Sequence, residues 1–95
     1  MAVEVRIPTI LRKHTGGARA VSSKGSTVGE VIDQLDTEHP GFKSAIIADA
    51  GEIHRFINIY LNDEDVRFSG ALSTPVSDGD IVSILPAVAG GSSRG

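Results

Sequence analysis

The 95 residues make a single domain whose core is small, since a chain of this size buries roughly 60–70% of its unfolded surface, leaving little room for a deep catalytic cleft. A composition of 40% hydrophobic and 22% charged residues is that of an ordinary soluble globule, and the net charge of −3, with Lys and Arg scattered, argues against a nucleic-acid partner. The absence of cysteine excludes disulfides, thiolate metal sites and a cysteine nucleophile, and no apolar run approaches the ~20 residues of a membrane span. The start, Met1-Ala2-Val3-Glu4-Val5, lacks the basic and apolar regions of a signal peptide, so a cytoplasmic location is expected.

In chain order, Val3-Glu4-Val5-Arg6-Ile7 alternates apolar and charged residues, the mark of a half-buried strand, and Pro8 either ends it or sits at its edge. His14-Thr15-Gly16-Gly17 reads as a turn and Arg19–Ser22 as a short second strand, giving a hairpin. Ser23–Ser26 is a loop. Thr27-Val28-Gly29-Glu30 fits a capping box, in which the Thr hydroxyl caps a free N–H and the Glu reaches back. Val28, Val31, Ile32 and Leu35 then form one helical stripe, with Asp33, Gln34, Asp36 and Glu38 off it. His39-Pro40-Gly41 stops this helix, and Phe42–Ile47 suits a short second one.

Asp49–Glu52 is a loop. Ile57, Ile59 and Leu61 alternate with Asn58, Tyr60 and Asn62, predicting a strand with one wet face. Asn62–Asp65 turns the chain, with Val66-Arg67-Phe68 as a short return strand. Asp78-Gly79-Asp80 is a turn before the last strand, Ile81–Leu85. Its parity puts Val82 and Ile84 in the core and Ile81, Ser83 and Leu85 outside. A hairpin crossed by one main helix is an α+β layout in two layers. Residues 1–88 form the domain, and residues 89–95, mostly Gly, Ser and Ala, are expected to be a flexible tail.

That tail carries the most information. An apolar strand runs through Pro86, which lacks an N–H and is expected to end strand pairing, into Gly90-Gly91. Glycine has no Cβ, so such a backbone can enter a narrow active site of another protein. Other candidates are bland. Asp63-Glu64-Asp65 lacks the loop pattern of a Ca²⁺ site and reads as a solvated turn. His14, His39 and His54 show no zinc-ligand spacing, so no metal is expected, and no nucleophile motif is present. Tyr60, Ile81 and Leu85 are candidates for a shared outer-face docking patch, Pro86 is a further docking candidate, and Arg55 and Arg67 are candidates for contacts with acidic partner residues. Lys13, Lys24 and Lys43 are unmarked.

The order of elements and the tail resemble the β-grasp (ubiquitin-like) fold, a mixed sheet crossed by one main helix. They resemble more narrowly the MoaD/ThiS family of bacterial sulfur carriers. The matching segments are Ser26–Ile32, Asp78–Pro86 and Gly90-Gly91. A fourth, His54–Phe68, is long and unusual and is similar to the CysO-type carriers of actinobacterial cysteine synthesis. The departure is Ser92-Ser93-Arg94-Gly95, since typical carriers of this family end at the diglycine. Two origins fit these residues, a native extension cut between Gly91 and Ser92, or an expression scar.

The resemblance implies a protein cosubstrate rather than an enzyme, with no cofactor of its own. A ubiquitin-activating-like enzyme, using ATP with Mg, would adenylate the Gly91 carboxylate, and a sulfur donor would convert it to a thiocarboxylate. Body contacts would orient the tail there. The CysO type further implies a pyridoxal-phosphate-dependent cysteine synthase as acceptor and a zinc-dependent peptidase of the JAMM type that releases cysteine. That peptidase would also be suited to trimming residues 92–95. Molybdopterin, thiamin and thiosugar synthesis use similar carriers, and a ubiquitin-like modifier of lysines is the alternative from another class. The free protein is expected to be a monomer without nucleic-acid or membrane partners.

Overall fold

The computed structural model describes residues 2–49 and 51–87. The flexible tail expected at residues 89–95 therefore lies outside the described residues, as do Gly90, Gly91 and Ser92. Strand β1 (Ala2–Arg6) pairs antiparallel with β2 (Ala20–Lys24), from Ala2 opposite Lys24 to Arg6 opposite Ala20. Their connection is longer than a simple turn. After Pro8 the chain winds into a 3₁₀ segment, Thr9–Thr15, that buries Leu11 in the core. Only Gly16 (φ 66°) and Gly17 (φ 92°) make the left-handed reversal, while His14 and Thr15 belong to the 3₁₀ segment. β2 also starts and ends later than its sequence suggests. Ser23, expected in a loop, is buried, and its hydroxyl donates to the Val31 carbonyl at 3.0 Å, which removes the cost of burying it.

Helix α1 (Val28–Glu38) begins where the capping residues place it. Thr27 Oγ1 accepts from the Glu30 N–H at 3.2 Å, and Glu30 Oε1 accepts from the Ser26 N–H at 2.8 Å, one residue earlier than in the usual reciprocal box. The stripe Val28, Val31, Ile32 and Leu35 is wholly buried. α1 stops at His39, and Gly41 (φ 97°) turns the chain into α2 (Phe42–Ile46). Asp36 Oδ1 accepts from the Gly41 and Lys43 N–H groups, joining the two helices.

Strand β3 (Ile57–Leu61) turns through Asn62 (φ 51°) and Asp63 (φ 79°), a two-residue left-handed reversal, into the two-residue β4 (Glu64–Asp65). The return strand is thus Glu64–Asp65, not Val66–Phe68, which forms a 3₁₀ turn. The reason is local: Asp65 Oδ1 caps the Arg67 N–H at 2.9 Å, and Val66 is drawn into the core. Strand β5 (Ile81–Pro86) follows a turn at Gly79 (φ 88°).

The sheet order is β2-β1-β5-β3-β4, with β1 and β5 parallel and every other pair antiparallel. The mixed sheet, crossed on one face by α1, is a β-grasp. Val3, Val5, Ile57, Ile59, Val82 and Ile84 meet the α1 stripe, Phe42 and Ile46 in one core. The last strand among the described residues is therefore the middle strand of the sheet.

Candidate functional site

The candidate site is the outer sheet face together with the end of β5. Antiparallel register places Asn58 opposite Leu85 and Tyr60 opposite Ser83. Residues opposite one another share a face, so Tyr60 sits diagonally between Ile81 and Leu85. These three expected docking residues do come together. On one flank Glu4 and Arg6 pair at 2.9 Å, and on the other lies Asp65, opposite Tyr60. Leu85 is 45% exposed, a large fraction for a leucine within a central strand. Ser83 and Asn58 interleave with these residues, so the arrangement is a mixed strip of Ile81, Tyr60 and Leu85 with charged margins, a form that suits a docking surface.

Pro86 has the opposite parity. It lies opposite Ile57, so it does not share the face of Leu85. Nor does it end pairing, because the Ala87 N–H still donates to the Phe56 carbonyl at 2.7 Å. The register explains this. The β5 residues bonded to β3 are the odd ones, and the missing N–H of Pro86 falls on the other side, beyond the stretch that β1 pairs.

Phe56 was not singled out by its sequence context. It is 52% exposed and stands beside the last residue described on the path to the diglycine. The even-numbered series Tyr60, Asn58, Phe56 was the available signal, running one pair past the strand. Arg55 lies over this ring, its Cζ 5.3 Å from the centroid, a cation–π arrangement.

Arg67 is placed differently from Arg55. Its Nη1 donates to Asn58 Oδ1 at 2.7 Å, and its Nη2 donates to the carbonyls of Ile57 at 2.7 Å and His54 at 3.2 Å. Because β4 covers only Tyr60 and Leu61, the start of β3 would otherwise show a bare edge. The guanidinium takes the place of the missing strand there.

The remaining polar candidates serve the fold. Asp80 accepts from Asn62 Nδ2 at 3.0 Å and from the Ser77 N–H at 2.7 Å, and these bonds lower its pKa from the ordinary carboxylate value. Asp78 accepts from the Ala2 N–H at 3.0 Å. Asp63 lies in the reversal, while Glu64 and Asp65 form β4. Among the described residues no three His, Asp or Glu side chains come together as metal ligands, and no helix is long and apolar enough to cross a membrane.

The fold and the site define a ubiquitin-like domain of the carrier kind, whose middle strand leads toward a diglycine. The chain belongs to the ThiS family, whose model matches residues 5–91. It is 56% identical over 93 residues to the sulfur carrier protein CysO of Mycobacterium tuberculosis, covering 96% of this chain and 100% of that protein. The resemblance to CysO-type carriers is thus borne out. The crystal structure of the Amycolatopsis orientalis BexX/CysO complex contains a chain that matches with a TM-score of 0.88 and 57% identity, covering 94% of this chain and 99% of that one. Small archaeal modifier protein 3 of Haloferax volcanii is 38% identical over 70% of this chain and 71% of its own length.

Proposed function

We propose that this protein carries sulfur on the carboxylate of Gly91 after residues 92–95 are removed. The observation that carries the reading is that the family match runs through Gly91 and ends there, leaving Ser92–Gly95 outside it. A free carboxylate is a poor acyl electrophile. An adenylating enzyme with ATP and Mg makes the acyl-adenylate with loss of pyrophosphate, and a sulfur donor displaces AMP to leave the thiocarboxylate. This chain supplies the tail and the face that positions it, and acts as cosubstrate. Tyr60, Ile81 and Leu85 are the contacts proposed for the activating enzyme, with Phe56 beside the tail root. That a CysO chain forms a complex with BexX supports recognition of this kind of body by a partner protein.

Likeness to CysO favours cysteine synthesis as the destination, with a pyridoxal-phosphate-dependent synthase as acceptor and a zinc peptidase releasing the product. Its proposed location is the cytoplasm. The test is intact mass spectrometry of the untagged protein purified from its host. A chain ending at Gly91, part of it heavier by the exchange of one oxygen for sulfur, is the expected result. A chain still ending at Gly95 in sulfur-limited cells overturns the reading. Likeness to an archaeal modifier favours a second reading, attachment to lysines, for which denaturing gels of host lysate would show a ladder of heavier species.

A further inference from the structure

Away from the outer-face strip, the surface has an open groove of about 580 Å³. One wall is Gly51–Ile53 with Arg55, the other is Gly70–Ser73, and Arg67 also lines it. The first wall belongs to a small reversal in which Ile47 and Ile53 form an antiparallel bridge. Its flanking bonds run from the Ala48 N–H to the Glu52 carbonyl at 2.8 Å and from the His54 N–H to the Ile46 carbonyl at 2.7 Å. In such a pair the bridged residues turn their own N–H and C=O outward. Those of Ile53 have no partner among the described residues, and the groove is lined by Ile53 and not by Ile47.

The charges at the groove are unequal. Arg55 makes no ion pair among the described residues and is held over the Phe56 ring. Arg67 spends three of its five N–H groups on Asn58, His54 and Ile57, leaving its Nε–H and one Nη1–H. Glu52 is the single acidic residue in the lining. A net positive groove on a protein of charge −3 selects an anionic occupant. The outward peptide edge of Ile53 selects an extended backbone rather than a free ion.

We propose that this groove is a second docking surface that takes an extended, carboxylate-bearing segment of a partner protein. The segment pairs its backbone with Ile53 and places an Asp or Glu side chain against Arg55. This surface is separate from the Tyr60–Leu85 strip and does not depend on the sulfur-carrier reading.

The test is titration of the ¹⁵N-labelled full chain with acetyl-Val-Glu-Val-Glu-Val-amide, followed by amide chemical shifts. Saturable shifts at Ile53 and Leu72–Ser73 are expected, with Arg55→Ala weakening binding about tenfold. Glu52→Gln should tighten it by about threefold, because it removes the like charge facing the peptide. These opposite responses separate a charge effect from a loss of folding. The proposal is overturned if the shifts fall on Ser83 and Leu85 instead, if a peptide with Lys for Glu binds equally well, or if Arg55→Ala changes nothing. It is equally overturned, in favour of the chain's own tail as occupant, if only a chain ending at Ala87 binds the peptide.

Discussion

Replacing Arg67 by alanine separates an edge-covering role from a partner-docking one. The side chain makes one part-buried bond, to the Ile57 carbonyl at 2.7 Å, and two exposed ones, to Asn58 Oδ1 and the His54 carbonyl. Bonds from a charged donor are worth ~1.5–3 kcal/mol each in protected surroundings, but water competes for exposed ones. Taking ~1 kcal/mol for the part-buried bond and a few tenths for each exposed bond gives a loss of about 1.5 kcal/mol. For a domain of this size that lowers Tm by roughly 6–12 °C. Arg67→Lys should recover less than half of it, since one ammonium group cannot reach the three acceptors that the guanidinium fork engages at once. Thermal and urea unfolding supply the numbers. A Tm within about 2 °C of the parent in Arg67→Ala would refute the edge-covering argument. If the activating enzyme then also turned the variant over poorly, Arg67 would be a partner contact instead.

Leu35, wholly buried as the last residue of the α1 stripe, should lose about 2–5 kcal/mol as Leu35→Ala, a large part of the ~5–15 kcal/mol that holds a domain folded, and an unchanged urea midpoint would contradict its burial. Leu85→Gln should leave Tm nearly unchanged yet lower the rate of ATP-dependent thiocarboxylation at subsaturating carrier by about tenfold, and an unchanged rate would remove the strip from the docking surface. Asp80 gives a pH signature. Its bonds to Asn62 and Ser77 depress the folded pKa, so its contribution is present above the unfolded value near pH 4 and is lost as the pH falls through the folded value. Asp80→Asn should therefore flatten the acid limb of a stability–pH curve while changing its slope little at neutral pH, and an unaltered acid limb would contradict the assignment.

How much of this was legible depended on whether a residue's partner was near in sequence. The α1 cap and stripe, the inward face of β5 and the Asp78–Asp80 turn are set by neighbours within one turn or one strand pitch, and all stand where the pattern puts them. Val66 misled because an apolar residue after a reversal suits a strand or a buried 3₁₀ anchor equally, and the Asp65 cap decides between them. Ser23 misled because its acceptor, the Val31 carbonyl, lies on another element. At the site, parity alone grouped Tyr60, Ile81 and Leu85. Arg67 gave no such hint, since its acceptors at His54, Ile57 and Asn58 meet it only after the chain has reversed.

For the proposed carrier role, the sheet order matters because it sets which strand leads to the tail. β5 lies between β1 and β3 and carries the outer-face residues Ile81 and Leu85. Its inward residues Val82 and Ile84 are fixed in the core, and its end is bonded on through Ala87 to Phe56. A partner that grips Leu85 therefore holds a strand two residues from the start of the path to the diglycine, with only rigid ladder between. Had the tail left from β2 or β4, the same grip would act through an edge strand that β5 does not steady. On the carrier reading proposed above, the strand between docking face and tail would be the mechanical link by which binding energy of the body becomes position at the reacting carboxylate. Breaking the ladder at its end should test this. Proline at Ala87 removes the N–H given to Phe56 while leaving the Leu85 strip in place. The expected result is tight binding to the activating enzyme with a lowered kcat, whereas an unchanged kcat would mean that the partner, not β5, positions the tail.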